Sequence, residues 1–97
     1  MLRVTIEKKQ EQAAIKLEGK LAGPWVDELE REWSSISNDN PGNNIVVDIR
    51  GLMLIDAGGR ELLKRMYAAG ATFTAKGLVK ETVEEIRREC EDSHKNS

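Results

Sequence analysis

The segment from Ile45 to Ala75 constrains the fold more than any other, because it carries a whole strand–helix–strand unit. Ile45, Val46, Val47, Asp48 and Ile49 make a compact, mostly β-branched run. Such a run predicts a central strand covered on both faces, since a one-sided strand would alternate apolar with polar residues. Gly51 is expected to end it. Leu52-Met53-Leu54-Ile55 follows and is too hydrophobic for an ordinary surface loop. Asp56-Ala57-Gly58-Gly59 then opens a helix in which Gly59, Leu62, Leu63, Met66, Tyr67 and Gly70 recur at i, i+3, i+4, i+7, i+8 and i+11. Asp56 has the chemistry of its N-cap, a carboxylate accepting from an N–H that has no carbonyl partner in the first turn. Gly70 suits a left-handed stop. Ala71–Ala75 predicts a short strand, and the unit as a whole a right-handed parallel crossover.

The flanks extend this unit. Leu2, Val4 and Ile6 alternate with Arg3, Thr5 and Glu7, and Ala13, Ile15, Leu17, Gly19 and Leu21 alternate with polar residues. These are two half-buried strands, and the short polar link KKQEQ makes them antiparallel. Gly23-Pro24 breaks the second strand. Val26, Leu29, Trp33 and Ile36 then mark one face of a helix over 25–36 whose outer side is acidic, with Asp27, Glu28, Glu30 and Glu32 against Arg31. SNDNPGNN, residues 37–44, has loop chemistry. Val79, Val83, Ile86 and Cys90 predict a third helix over 79–90, with residues 91–97 fraying.

The order is therefore ββαβαβα, an α/β fold with one mixed β-sheet of about four strands, near 2–7, 13–21, 45–49 and 71–75. Amphipathic helices pack against it, the central one over 57–69. The expected core is Ile15, Leu17, Leu29, Val47, Ile49, Ile55, Leu63, Met66 and Phe73. A chain of 97 residues buries roughly two-thirds of its surface, enough for one domain over 1–97.

Composition narrows the function. Fifteen basic against seventeen acidic residues leave no basic excess for nucleic acid, and Trp25, Trp33, Tyr67 and Phe73 are few platforms for stacked bases. One cysteine excludes an intrachain disulfide and a cysteine-built zinc site, and Cys90 reads as a small core or edge hydrophobe. The single histidine, His94, lies in the polar tail, so a Cys–His catalytic pair is not expected. No paired-carboxylate motif, phosphate-binding glycine loop followed by lysine, or metal-ligand cluster is present. Asp48 and Asp56 fall at strand and helix ends, where carboxylates act in α/β enzymes, yet no histidine, lysine or serine lies near them in sequence. No enzymatic activity, catalytic residue, metal or cofactor is expected. No apolar run approaches the ~20 residues of a membrane span, and MLRVTIEKKQ has no signal-peptide character, so a cytoplasmic location is expected.

A hydrophobic strand, a glycine, a second hydrophobic run, then Asp56 and small residues opening a helix resemble the STAS domain. That family comprises bacterial anti-sigma factor antagonists, domains of sulfate transporters and some ABC-transporter accessory subunits. The resemblance covers about residues 2–77 and includes the upstream LEGKLAG, residues 17–23. It implies a regulatory protein–protein interaction module. In the antagonist branch a serine follows the small residue after this aspartate. A cognate anti-sigma kinase phosphorylates it and is released. Here the matching position is Gly58, preceded by Ala57, and neither has a hydroxyl, so that switch cannot operate at this turn. The alternative reading within the resemblance is an accessory subunit docking on a transporter ATPase, or a module binding a small ligand.

The partner surface is expected around Asp56, Ala57, Gly58 and Gly59, with Arg60 and Lys64 exposed on the following helix and steering an acidic protein partner. Ordinary roles stand beside these: Asp56 as a cap, the glycines as close packing, the charges as a solvated face. Longer STAS members add a strand and helix after the third helix. One sheet edge is therefore expected to be bare, and a homodimer through it is a further expectation.

Overall fold

The structure is a computed structural model that describes residues 1–9, 11–39 and 44–95, with side chains as far as Glu91. It has the expected order: β1 (Leu2–Lys9), β2 (Gln12–Leu21), α1 (Pro24–Asp39), β3 (Ile45–Ile55), α2 (Ala57–Ala68), β4 (Thr72–Thr74) and α3 (Leu78–Lys95). The four strands lie in the order β1-β2-β3-β4. β1 and β2 are antiparallel, and β2–β3 and β3–β4 are parallel.

The helices pack side by side, α1 on α2 and α2 on α3, over one face of the sheet. Beneath them Leu2, Ala13, Ile15, Leu17, Ile45, Val47 and Ile49 meet Leu29, Ile36, Leu62, Leu63, Met66 and Ile86 in a single buried cluster. The opposite face carries exposed Arg3, Thr5, Glu7, Lys16 and Arg50 and half-buried Ala14, Val46 and Asp48. The expectation that 45–49 is covered on both faces therefore fails. Val46 tolerates one-sided exposure because Asp48 and Lys16 beside it keep that surface hydrated.

Gly51 does not end β3. The strand runs four residues further, with register shifts against β2 between Lys16 and Glu18 and between Gly19 and Lys20. Each shift places an extra residue in β3, as in a β-bulge, and flips the inward-facing side of the strand. The buried set thus passes from Ile45, Val47 and Ile49 to Leu52. A side chain at Gly51 would press on Glu18 Cγ at 2.9 Å and Leu17 O at 3.1 Å, so glycine here allows the two strands to stay close.

Other boundaries also move. Lys8 and Lys9, expected in the link, extend β1, and Lys9 pairs with Gln12. Ser37, Asn38 and Asp39, expected in a loop, continue α1, and Lys8 Nζ donates to Asp39 at 3.1 Å. Of the rest of the expected loop, 40–43 lies outside the described residues, and Asn44 leads directly into β3. α3 continues to Lys95 where fraying from 91 was expected, and the His94 side chain lies outside the described residues. Ile55 and Phe73 are half-buried at the margin of the core rather than within it. Phe73 stacks on Tyr67 at 6.3 Å between ring centroids. Cys90 is a free, half-buried thiol packed against the core.

The C-terminus of α2 closes as expected. Gly70 (φ +106°) follows the cap residue Ala69. Its N–H donates to Tyr67 O at 2.9 Å, and that of Ala71 to Met66 O at 3.1 Å. This is the paired pattern of a Schellman stop.

Candidate functional site

The expected site lies where two turns meet. β2 ends at Leu21 and turns through Ala22 and Gly23 into α1; β3 ends beside it at Ile55 and turns through Asp56 into α2. The Asp56 carboxylate joins them. Oδ1 accepts from Gly59 N at 2.7 Å, which is the expected N-cap. Oδ2 accepts from Gly23 N at 2.9 Å, in the other turn. The Asp56 backbone N–H donates to Leu21 O at 3.1 Å. The N–H bonds from Gly23 and then Gly59 hold the Asp56 carboxyl below the ordinary aspartate range, because they favour the charged form. Asp56 is therefore a structural carboxylate with both oxygens engaged.

The two glycines after it differ. A Cβ on Gly59 would lie 2.5 Å from Leu21 O and 2.9 Å from Leu21 Cγ, and Gly59 is buried. Here the glycine is close packing of helix on strand end. A Cβ on Gly58 would meet only Asp56 Oδ1, at 3.6 Å, and both Ala57 and Gly58 are exposed. The outer side of this turn is a small-residue surface with room above it. Immediately upstream, Met53 is 80% and Leu54 50% exposed. These two large apolar side chains were not among the expected site residues. The sequence signal was present in the hydrophobic run 52–55, but only the bulges decide which of its members face out.

Arg60 and Lys64 are not free charges. Both are half-buried on the side of α2 that faces α3. Arg60 donates to Glu89 and, at 3.4 Å, to Glu85; Lys64 Nζ lies 4.0 Å from Glu89. Arg65 donates to Glu30 of α1 at 2.7 Å. The basic residues of α2 thus tie it to an acidic neighbour on each side. Ion pairs at the protein surface each contribute only about 0.2–1 kcal/mol, so they orient the helices more than they drive folding. The expectation that Arg60 and Lys64 stand exposed is corrected: both are half-buried and ion-paired to α3.

Asp48 is likewise not at a strand end, because β3 continues past it. Arg50 grips it in a bidentate pair, Nε to Oδ1 at 3.0 Å and Nη2 to Oδ2 at 2.9 Å, and this bond lowers its pKa. Among the described residues no group of three His, Cys, Asp or Glu side chains is placed to hold a metal ion. No described helix is long and apolar enough to cross a membrane.

Comparison with solved structures finds the same architecture in an anti-sigma factor antagonist from Mycobacterium paratuberculosis. The TM-score is 0.69 over 79% of this chain and 69% of that one, at 17% identity. The chain shares the fold of that antagonist. Two crystal structures of Mglu, one in its native form, also match, with TM-scores of 0.51 and 0.50 at 16% and 15% identity. They are covered over 75% and 73% of this chain, which spans only 19% and 22% of theirs. No family model and no curated protein matches the sequence. The mixed four-stranded sheet with three helices, implied by the STAS resemblance, is the fold observed.

Proposed function

We propose that this chain is a regulatory protein-binding module of the anti-sigma factor antagonist kind, working in the cytoplasm without enzymatic activity. It docks through the outer side of the Asp56–Gly59 turn, with Met53 and Leu54 as apolar anchors. Ala57 and Gly58 offer no hydroxyl, so this turn cannot be switched off by phosphorylation. The observation that carries the reading is Gly58. Its position is open, so packing does not require a glycine there, and where alanine fits without strain a glycine costs about 0.4–1 kcal/mol through the entropy of the unfolded chain. A partner surface that must approach the helix end closely accounts for that cost. Fold likeness to an antagonist supports the class of partner, an anti-sigma factor with a kinase-type fold.

The test is quantitative capture from native lysate by wild type, Gly58→Arg and a Lys76→Glu control, with proteins identified by mass spectrometry. The reading expects an ATP-binding anti-sigma factor held by wild type and control and lost with Gly58→Arg. A capture pattern indifferent to Gly58→Arg would remove this turn from the interface. Loss of an ABC-transporter ATPase instead would assign the same turn to a transporter accessory role.

A further inference from the structure

We infer that the outer edge of β1 pairs with β1 of a second copy, antiparallel about a two-fold axis through Thr5, with Arg3 of each copy opposite Glu7 of the other. This does not depend on the partner reading above, since it uses a different part of the molecule.

The two sheet edges are unequal. β4 offers three residues, whereas β1 offers eight with no described strand beyond it. An open edge of that length is a template for pairing. Which backbone groups point outward follows from the hairpin. Lys20 N donates to Met1 O at 2.9 Å, and Lys9 faces Gln12 across the tightest pair of the hairpin. Odd residues of β1 therefore bond to β2. In an antiparallel ladder the alternate residues then turn their N–H and C=O groups outward, and these are Leu2, Val4, Ile6 and Lys8.

That parity limits the registers. A two-fold pairing must set even residues opposite even ones, since a one-residue slip would put apolar side chains on the wrong face. Centring on Val4 places Arg3 opposite Thr5, with no charge match. Centring on Ile6 places Arg3 opposite Lys9, a like-charge clash. Centring on Thr5 places Arg3 opposite Glu7 twice on the open face, and Val4 opposite Ile6 twice on the helix-covered face. Arg3 and Glu7 are both exposed, and neither has an ion-pair partner among the described residues. Val4 and Ile6 are only half-buried, so joining the edges extends the core.

The helix side agrees independently. Leu2, Val4, Glu28 and Glu32 line a cleft of about 200 Å³ at the β1 edge. Neither glutamate has an ion-pair partner among the described residues. In the Thr5-centred register, Lys8 of the second copy lies opposite Leu2, on the side of these two carboxylates. To reach them its ammonium must exchange the 3.1 Å contact with Asp39 of its own chain, so the charge match on the open face, Arg3 with Glu7, carries the register.

Sedimentation equilibrium of the full chain tests this. A reversible dimer is expected that weakens as salt rises. Arg3→Glu should loosen it by about tenfold or more, because two attractive cross-strand pairs become repulsive. The double swap Arg3→Glu with Glu7→Arg should restore it. A second readout covers the case in which a charge variant folds poorly. In a Cys90→Ala background, Thr5→Cys should form a disulfide dimer on mild oxidation. Arg3→Cys should not, since positions 3 of the two copies would lie about 13 Å apart along the strands. A chain that stays monomeric at millimolar concentration overturns the inference. So does a dimer that ignores Arg3→Glu and gives no Thr5→Cys cross-link.

Discussion

The first turn of α2 has an inner and an outer side, and the two are built on opposite principles. Inside, Gly59 and Asp56 are fixed by contacts to the β2 end and to Gly23, and nothing larger fits. Outside, Ala57 and Gly58 are exposed, and a Cβ on Gly58 would meet only Asp56 Oδ1, at 3.6 Å. Adjacent glycines therefore hold their places for different reasons, one steric and one consistent with an approaching surface. A glycine in sequence says only that a side chain is absent; its surroundings say whether one was forbidden or unneeded.

The sharpest test of the contrast is Gly59→Val. Its branched side chain must displace Leu21 O and Leu21 Cγ, and overpacking of this kind costs about 1–3 kcal/mol, read as a lower urea midpoint with an unchanged slope. A neutral result would show that the turn is not close-packed. Next is Asp56→Ala, which leaves the N–H groups of Gly23 and Gly59 without their shared acceptor and should lower the melting temperature. Asp56→Asn should fall between, since one acceptor oxygen cannot serve both donors. Acid titration sharpens this further. A carboxyl whose folded pKa is depressed adds stability that is complete above its unfolded value and lost as pH falls through the folded one. The acid limb of the stability curve should thus be steeper in wild type than in Asp56→Asn. Equal limbs would mean that the two hydrogen bonds do not favour the charged form.

On the outer side the sign reverses. Gly58→Ala should stabilise by about 0.4–1 kcal/mol, because the unfolded chain loses entropy and the Cβ meets open space. Destabilisation there would erase the distinction between the two sides. The smallest effect is expected between Arg60 and Glu89, where a double-mutant cycle should give a coupling of about 0.2–1 kcal/mol. A coupling of zero would mean that this ion pair does not help to tie α2 to α3.

The sequence showed most where the physics is local. Alternation placed β1 and β2, and the recurrence from Gly59 to Gly70 placed α2 within a residue at each end. The Asp56 cap was legible because its partner, Gly59, lies three residues away. Its bond to Gly23 was not, since nothing in either turn records that the two sit side by side. β3 was cut short at Gly51 because a bulge breaks the period by which strands are recognised. Ser37–Asp39 looked like a loop because these residues favour turns in isolation, yet they extend α1, where Asp39 meets Lys8. Arg60 and Lys64 looked free because charge counting within one helix cannot see Glu85 and Glu89 on another.

The shared carboxylate of Asp56 has a consequence for the order of folding. Its bond to Gly59 closes a loop of three residues and is available as soon as α2 begins to nucleate, while its bond to Gly23 spans thirty-three. The second bond must wait until α1 has crossed over and β3 has docked on β2, which is the slow, non-local part of assembling a parallel sheet. Asp56 thus acts early as a local helix starter and late as a latch between two crossovers. Asp56→Asn, which can still cap one helix, should therefore speed unfolding more than it slows folding.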